Sequence, residues 1–322
     1  MKKPVVLVTR KLPKATENRM KNLFDVRLNA SDSVMSFEEL IEKSEGATAI
    51  VPTVTDEINA ALVSALPLTV EIIANFGAGV NHIDLAATTE RKICVTNTPD
   101  VLTDDTADLT IALMLATARR LTEGCQMLKN DLWSGWAPTF MLGTSLTNKN
   151  LGIIGLGKIG SAVAVRARSF GMRIHYHNRK PVSESIMAKL DATYWQCLNE
   201  MLAQVDFLSI NCPQTAETRH LLNAERLDRL QQHAIIINSA RGGIIDEAEL
   251  AERLDKGTIA AAGLDVFENE PEINEKLSSL NNVVLAPHLG SATNESRLAM
   301  GTRVIENIIS FVSGQVPQDK IY

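Results

Sequence analysis

Between Val5 and Thr98, short runs of β-branched and aliphatic residues alternate with segments of helical period. PVVLV, DVRLN, ATAIVPT, VEIIANFG and KICVTNT read as strands; the stretch around Arg19 to Leu23, FEELIEKSE, EINAALVSAL and DLAATTER read as helices. The strand runs lack the polar alternation of a sheet with one wet face, so they predict strands buried on both faces, as in a parallel sheet under helices. That makes one doubly wound α/β unit. Pro99 to Asn130 predicts a long helix, capped near Thr103 or Asp104 and apolar on nearly all sides through Leu109, Ile111, Leu113, Met114 and Leu115. Such a helix must be buried, and a place between two domains is expected. Strand runs then recur at Val205 to Cys212, Ala234 to Ala240, Ile259 to Val266 and Val283 to Pro287, a second α/β unit. The helical period of Asn294 to Val312 is expected to return to the first.

The second unit opens with Asn150 to Lys180, NLGIIGLGKIGSAVAVRARSFGMRIHYHNRK: strand, glycine turn, helix, strand. A dinucleotide requires that order, because its pyrophosphate lies against unblocked N–H groups at a helix N-terminus, where the helix dipole favours an anion. Gly155 permits the tight turn, Gly157 lets backbone approach the phosphates, and Gly160 lets the helix pack on the strand. Lys158 and Ile159 lead that helix and join the cofactor-binding set. About 20 residues past such a motif an NAD site places an acidic residue on the ribose 2′-OH. Asn178, Arg179 and Lys180 stand there instead. An amide and a guanidinium suit a 2′-phosphate, so the expected cofactor is NADP(H), with NAD(H) less favoured; the alternative is a solvated strand end.

The remaining features narrow the class. A chain of 322 residues favours two domains, and a net charge of -6 supplies no basic field for nucleic acid. Cys94, Cys125, Cys197 and Cys212 are scattered without ligand spacing, which reads as buried thiols in a reducing compartment and no metal site. The basic start MKKPVVLVTRK reads as a strand, since Arg10 and Lys11 interrupt any leader core. No apolar run approaches the roughly 18 residues of a membrane span, so the expectation is a soluble, cytoplasmic protein. Trp133 and Trp136 sit in a turn-rich segment that suggests a subunit interface, or else core tryptophans.

Ligands of open α/β sheets gather where strands end. In the first unit those places are Val51-Pro52-Thr53, which puts Val51 in the substrate set, and Asn75 to Val80; the glycine-rich turn either exposes N–H groups to a carboxylate or is a plain tight turn. In the second unit Arg241, Glu270 and His288 each follow a strand run. Singly, each has an ordinary structural reading: an ion pair, a cap, a core histidine. Together they suit an acid: Arg clamps a carboxylate, and a His–Glu pair holds and releases a proton near neutral pH.

NFGAGVNHIDL, VLTDDTADLTIALMLATARR, GLGKIG, NSARGGIIDEAEL, AAGLDVFENEP and PHLGSAT together resemble the D-isomer-specific 2-hydroxyacid dehydrogenases, in their glyoxylate/hydroxypyruvate reductase branch. The resemblance implies a Rossmann-type cofactor domain over 99–290 and a flavodoxin-like substrate domain over 1–98 and 291–322. It also implies a homodimer that reduces a small 2-oxo acid. Arg241 would hold the substrate, His288 donate the proton and Glu270 partner it. Ala78 and Gly79 would offer N–H groups to the carboxylate, and Trp136 would reach the neighbouring subunit's site. Thr106, Cys212, Pro213, Ala240, Asp265, Gly290 and His288 would line the cofactor. The rivals are an NAD-dependent dehydrogenase of another D-2-hydroxy acid and a dinucleotide-sensing binding protein of the same fold.

Overall fold

The computed structural model describes residues 3 to 321; Met1 and Lys2, in the basic start weighed above as a leader, lie outside the described residues. The chain divides into two compact units, Met1–Leu102 with Ala292–Tyr322, and Thr103–Ser291. Both are built on parallel sheets flanked by helices.

The first unit carries strands β1 (Val5–Val8), β2 (Asp25–Leu28), β3 (Ala49–Val51), β4 (Ile72–Ala74) and β5 (Cys94–Thr96), in the order β2-β1-β3-β4-β5. β3 and β4 are wholly buried, as their unbroken aliphatic runs demand, whereas edge strand β2 alternates exposed and half-buried positions. Helix Phe37–Ser44 begins with a capping box: the Ser36 hydroxyl accepts from Glu39 N while the Glu39 carboxylate accepts from Ser36 N. Asn59, Asp84 and Thr293 cap three further helices with a single side-chain acceptor each, for Leu62 N, Ala87 N and Ser296 N. The last of these, Asn294–Val312, packs on helix Lys14–Leu23 and on β4.

The second unit holds β6 (Asn150–Ile154), β7 (Arg173–His177), β8 (Ala192–Tyr194), β9 (Phe207–Ile210), β10 (Ile235–Asn238), β11 (Ala261–Leu264) and β12 (Val283–Leu285), in the order β12-β11-β10-β9-β6-β7-β8. Alternate residues feed opposite faces: Ile153, Phe207, Ile235 and Ile237 join one core cluster, and Ile154, Leu208, Ile210 and Ile236 the other. The strand order reverses between β6 and β9, and ligands of such sheets bind at the carboxyl ends near that reversal.

Two expectations are corrected. The helix read over Pro99 to Asn130 is two, Thr103–Ala118 and Leu121–Lys129. The returning chain ends the first: Thr144 N takes the Ala118 carbonyl, Gly143 packs on the same peptide, and Arg120 turns left-handed. The first helix packs within this unit on helix Lys158–Ser169 and on β10 and β11. The four cysteines are not uniformly buried; Cys125 and Cys197 are exposed. Among the described residues no helix is long and apolar enough to cross a membrane.

Gly301 lets the Asn294–Val312 helix lie against Thr16, whose side chain a Cβ would strike. Gly301→Ala is expected to lower unfolding stability by about 1–3 kcal/mol through overpacking. Urea denaturation measures this, and an unchanged midpoint would show that the helix yields freely.

Candidate active site

The glycine turn is shaped by close contacts on two sides and open space on the third. Gly155 has φ +95°, and a Cβ there would lie 2.6 Å from Cys212 N, so both dihedral and space require glycine. A Cβ on Gly160 would strike the Gly155 carbonyl, whereas one on Gly157 would meet nothing within 4 Å. Helix Lys158–Ser169 starts at that open side with no side-chain cap. A vacant approach to uncapped N–H groups, which a Cβ on Gly157 would enter, fits a pyrophosphate. Half-buried Cys212 flanks the turn, and burial pushes its thiol up to about 11, leaving it a neutral packing group. Beyond it, Pro213 O accepts from Thr218 Oγ1 at 2.8 Å.

Asn178 is committed differently from what its place in the sequence suggests. Its Oδ1 accepts from Leu156 N at 2.7 Å, bracing the turn from the end of β7. Arg179 and Lys180 follow it, both exposed.

At the ends of β10, β11 and β12 the structure gathers a second group. Asn238 folds the chain back, donating to Arg241 O at 2.9 Å while its Oδ1 accepts from Ala240 N at 3.0 Å. The next residue, Gly242, has no room for a Cβ against Phe267 and Glu268, so the Arg241 segment rides on the segment carrying Glu270. Asp265, with no exposure, accepts from Leu289 N at 2.6 Å and Gly290 N at 2.8 Å, and its carbonyl accepts from His288 N at 2.8 Å. Thr106 closes the loop by donating to Gly290 O at 3.1 Å. His288 is thereby held at φ 55°, in the left-handed region.

His288 Nδ1 lies 2.8 Å from Glu270 Oε2, and Glu270 Oε1 accepts from Phe267 N at 3.1 Å. Burial opposes charge on Glu270, yet the hydrogen bond and charge of His288, the Phe267 N–H and the Arg241 guanidinium hold its carboxyl below the ordinary range. Arg241 is pushed down by burial and supported by Glu270; as a guanidinium it stays charged. Asp265 is pushed up by burial, against the pull of its two N–H donors.

Sequence reasoning missed the braces behind this group. Glu268 N donates to Glu247 Oε1 at 2.5 Å, and the Glu268 carboxylate meets His220 Nε2 at 2.8 Å and Arg219 at 3.0 Å. Glu247 lies inside the NSARGGIIDEAEL stretch, so a signal existed; His220 carried none.

In the first unit, Ala78 and Gly79 lie half-buried in the loop after β4. Val51 does not join them at the surface: its side chain is fully buried and its carbonyl accepts from Thr9 N and Oγ1, both at 3.2 Å. Trp136 stands 81% exposed in the second unit.

The family model described as D-isomer specific 2-hydroxyacid dehydrogenase, NAD binding domain, matches residues 111–290. A glyoxylate reductase of Thermococcus litoralis is 41% identical over 99% of this chain and 97% of its own, and one of Aeropyrum pernix 42% over 100% and 96%. The crystal structure of an NADPH-dependent glyoxylate/hydroxypyruvate reductase from Sinorhizobium meliloti, in complex with NADP and malonate, has a TM-score of 0.89 at 36% identity, covering 99% of this chain and 97% of that one. A glycine turn that fits a dinucleotide, a hydrogen-bonded His–Glu pair and full-length likeness on these terms converge: the chain belongs to the D-isomer specific 2-hydroxyacid dehydrogenase family.

Proposed function

We propose that this oxidoreductase reduces a small 2-oxo acid, glyoxylate or hydroxypyruvate, to the 2-hydroxy acid with NADPH. The observation that carries the reading is the 2.8 Å pairing of His288 Nδ1 with Glu270 Oε2. That pairing leaves Nε2 as the nitrogen that gives its proton to the substrate carbonyl oxygen. Arg241 holds the substrate and stabilises the alkoxide that develops. Ala78 and Gly79 offer N–H groups to the carboxylate. NADPH, when bound, supplies the hydride that C2 accepts. Gly155, Gly157, Gly160, Lys158 and Ile159 hold its pyrophosphate; Thr106, Cys212, Pro213, Ala240, Asp265 and Gly290 line it, and Arg179 with Lys180 takes the 2′-phosphate. The glyoxylate reductase relatives and the NADPH-dependent neighbour support this choice of substrate and cofactor.

We also propose a homodimer. Helix Leu121–Lys129 buries none of its residues, and Leu121, Leu128, Leu132, Trp133, Trp136 and Leu142 are all exposed on it and the chain that follows. A run of this kind suits a second copy.

Replacing His288 with Ala should cut kcat for glyoxylate reduction by on the order of 10² to 10⁴; a normal kcat would refute the assignment. Glu270→Gln removes the carboxylate that meets His288 Nδ1 and should lower kcat; an unchanged kcat would argue against the pair. On the acid side, the folded Glu270 carboxyl lies below its ordinary 4.5. Its contribution to stability is therefore full above that value and disappears as pH falls through the lower folded value. Asn178→Asp keeps an acceptor for Leu156 N, so combined with Arg179→Ala it should spare the turn and shift preference toward NADH; retained NADPH preference in kcat/KM would place the phosphate site elsewhere. Leu128→Glu with Trp133→Glu should halve the mass seen by analytical ultracentrifugation, and a mass equal to wild type would reject this face as the interface.

A further inference from the structure

Three successive carbonyls in the loop after β4 are turned into the protein. Gly77 O accepts from Thr98 N at 3.0 Å and from Asn75 Nδ2 at 2.9 Å, Ala78 O from Asn97 Nδ2 at 2.8 Å, and Gly79 O from Asn75 Nδ2 at 2.9 Å. A trans peptide points its C=O and N–H in opposite directions. Pinning these carbonyls inward therefore aims the N–H groups of Ala78, Gly79 and Val80 outward. Among the described residues, none of the three N–H groups donates to a protein acceptor. Successive outward N–H groups form an anion-binding concavity without any cationic side chain.

Asn75 is the centre of this arrangement. It is fully buried, and both of its Nδ2 protons are used, one on each carbonyl. Its Oδ1 is 3.0 Å from His82 Nε2, and an oxygen there makes His82 the donor, which fixes the amide's orientation. Gly77 leaves room for it: a Cβ at that position would lie 3.2 Å from Asn75 Nδ2.

We propose that Asn75, oriented by His82 and seconded by Asn97, is the positioning residue of the substrate-carboxylate site. It acts through the backbone, holding the loop's carbonyls inward so that the Ala78, Gly79 and Val80 N–H groups face the 2-oxo acid's carboxylate. The inference rests on the reductase reading above and adds to it the side chains that shape the specificity for an acid.

Asn75→Asp is nearly isosteric, removes both donated bonds and puts a negative charge behind the loop. KM for glyoxylate, and the inhibition constant of the carboxylate-bearing analogue oxamate, should rise together by about 10- to 100-fold, the effect of disturbing hydrogen bonds to a charged group. The rate at saturation should stay within about threefold, as for a loss of uniform binding, and the fluorescence-titrated Kd for NADPH should not move. A residue that only stabilises the fold would lower kcat and cofactor affinity as well, and that pattern would overturn the proposal. Asn97→Asp, at a half-buried position, releases only the Ala78 carbonyl and decides the matter if Asn75→Asp does not fold. An unchanged KM in a folded variant also overturns it. Wild-type protein that turns over no 2-oxo acid and binds no oxamate would instead overturn the reductase reading.

Discussion

Asp265 is a carboxylate without exposure, and the loop that carries His288 is folded around it. An unpaired charge at such a depth costs several kcal/mol. Two backbone N–H groups, from Leu289 and Gly290, meet it, and hydrogen bonds to a charged group contribute about 1.5–3 kcal/mol each. Holding His288 in the left-handed region costs roughly 1–3 kcal/mol. The bonds to Asp265 outweigh that strain, so the histidine's backbone is set by a carboxylate its ring does not touch. Glu270 then has only to meet a ring already in place, and its own position is fixed by Phe267 N and by the packing of Gly242 on the same segment.

Two carboxyls near one another thus do different work because their surroundings push them in opposite directions. Burial dominates at Asp265 and raises it, even though N–H donors oppose this; at Glu270 the same penalty is overcome by His288, Phe267 N and Arg241, and the carboxyl is lowered. A pair of acids separated in this way is a sign of assigned roles. Asp265 shapes backbone, and Glu270 meets the His288 ring. At the end of β7 there is a comparable split, since Asn178 is occupied with Leu156 N while the exposed Arg179 and Lys180 carry the charge.

Much of this was legible in the residues. Period and aliphatic runs located the central strands, because burial on both faces leaves no polar position to confuse the pattern. Arg241, Glu270 and His288 stood out because each follows a strand run, and a strand's end is a position that sequence does reveal. Tertiary hydrogen bonds escaped. The end of helix Thr103–Ala118 is set by Gly143 and Thr144, far along the chain, so no local signal stopped it. Val51 sits at a strand end yet is spent on the core, and Asn178 has the right place for a phosphate ligand but braces a turn. Residue type and spacing show that a polar group is present; they do not show whether it serves a ligand or a neighbouring peptide.

The same distinction separates binding from proton transfer. Peptide N–H groups do not titrate between pH 5 and 8, so in the proposed reading a carboxylate met by the 78–80 backbone is held equally well across that range. In the proposed reading, grip on the acid and supply of the proton fall to different groups. In that reading Arg241, whose guanidinium remains charged throughout, holds the substrate without adding a titration of its own. The buried polar side chains Asn75 and Asp265, each within its own unit, act by fixing backbone: Asn75 holds the Gly77 and Gly79 carbonyls, and Asp265 the Leu289 and Gly290 N–H groups.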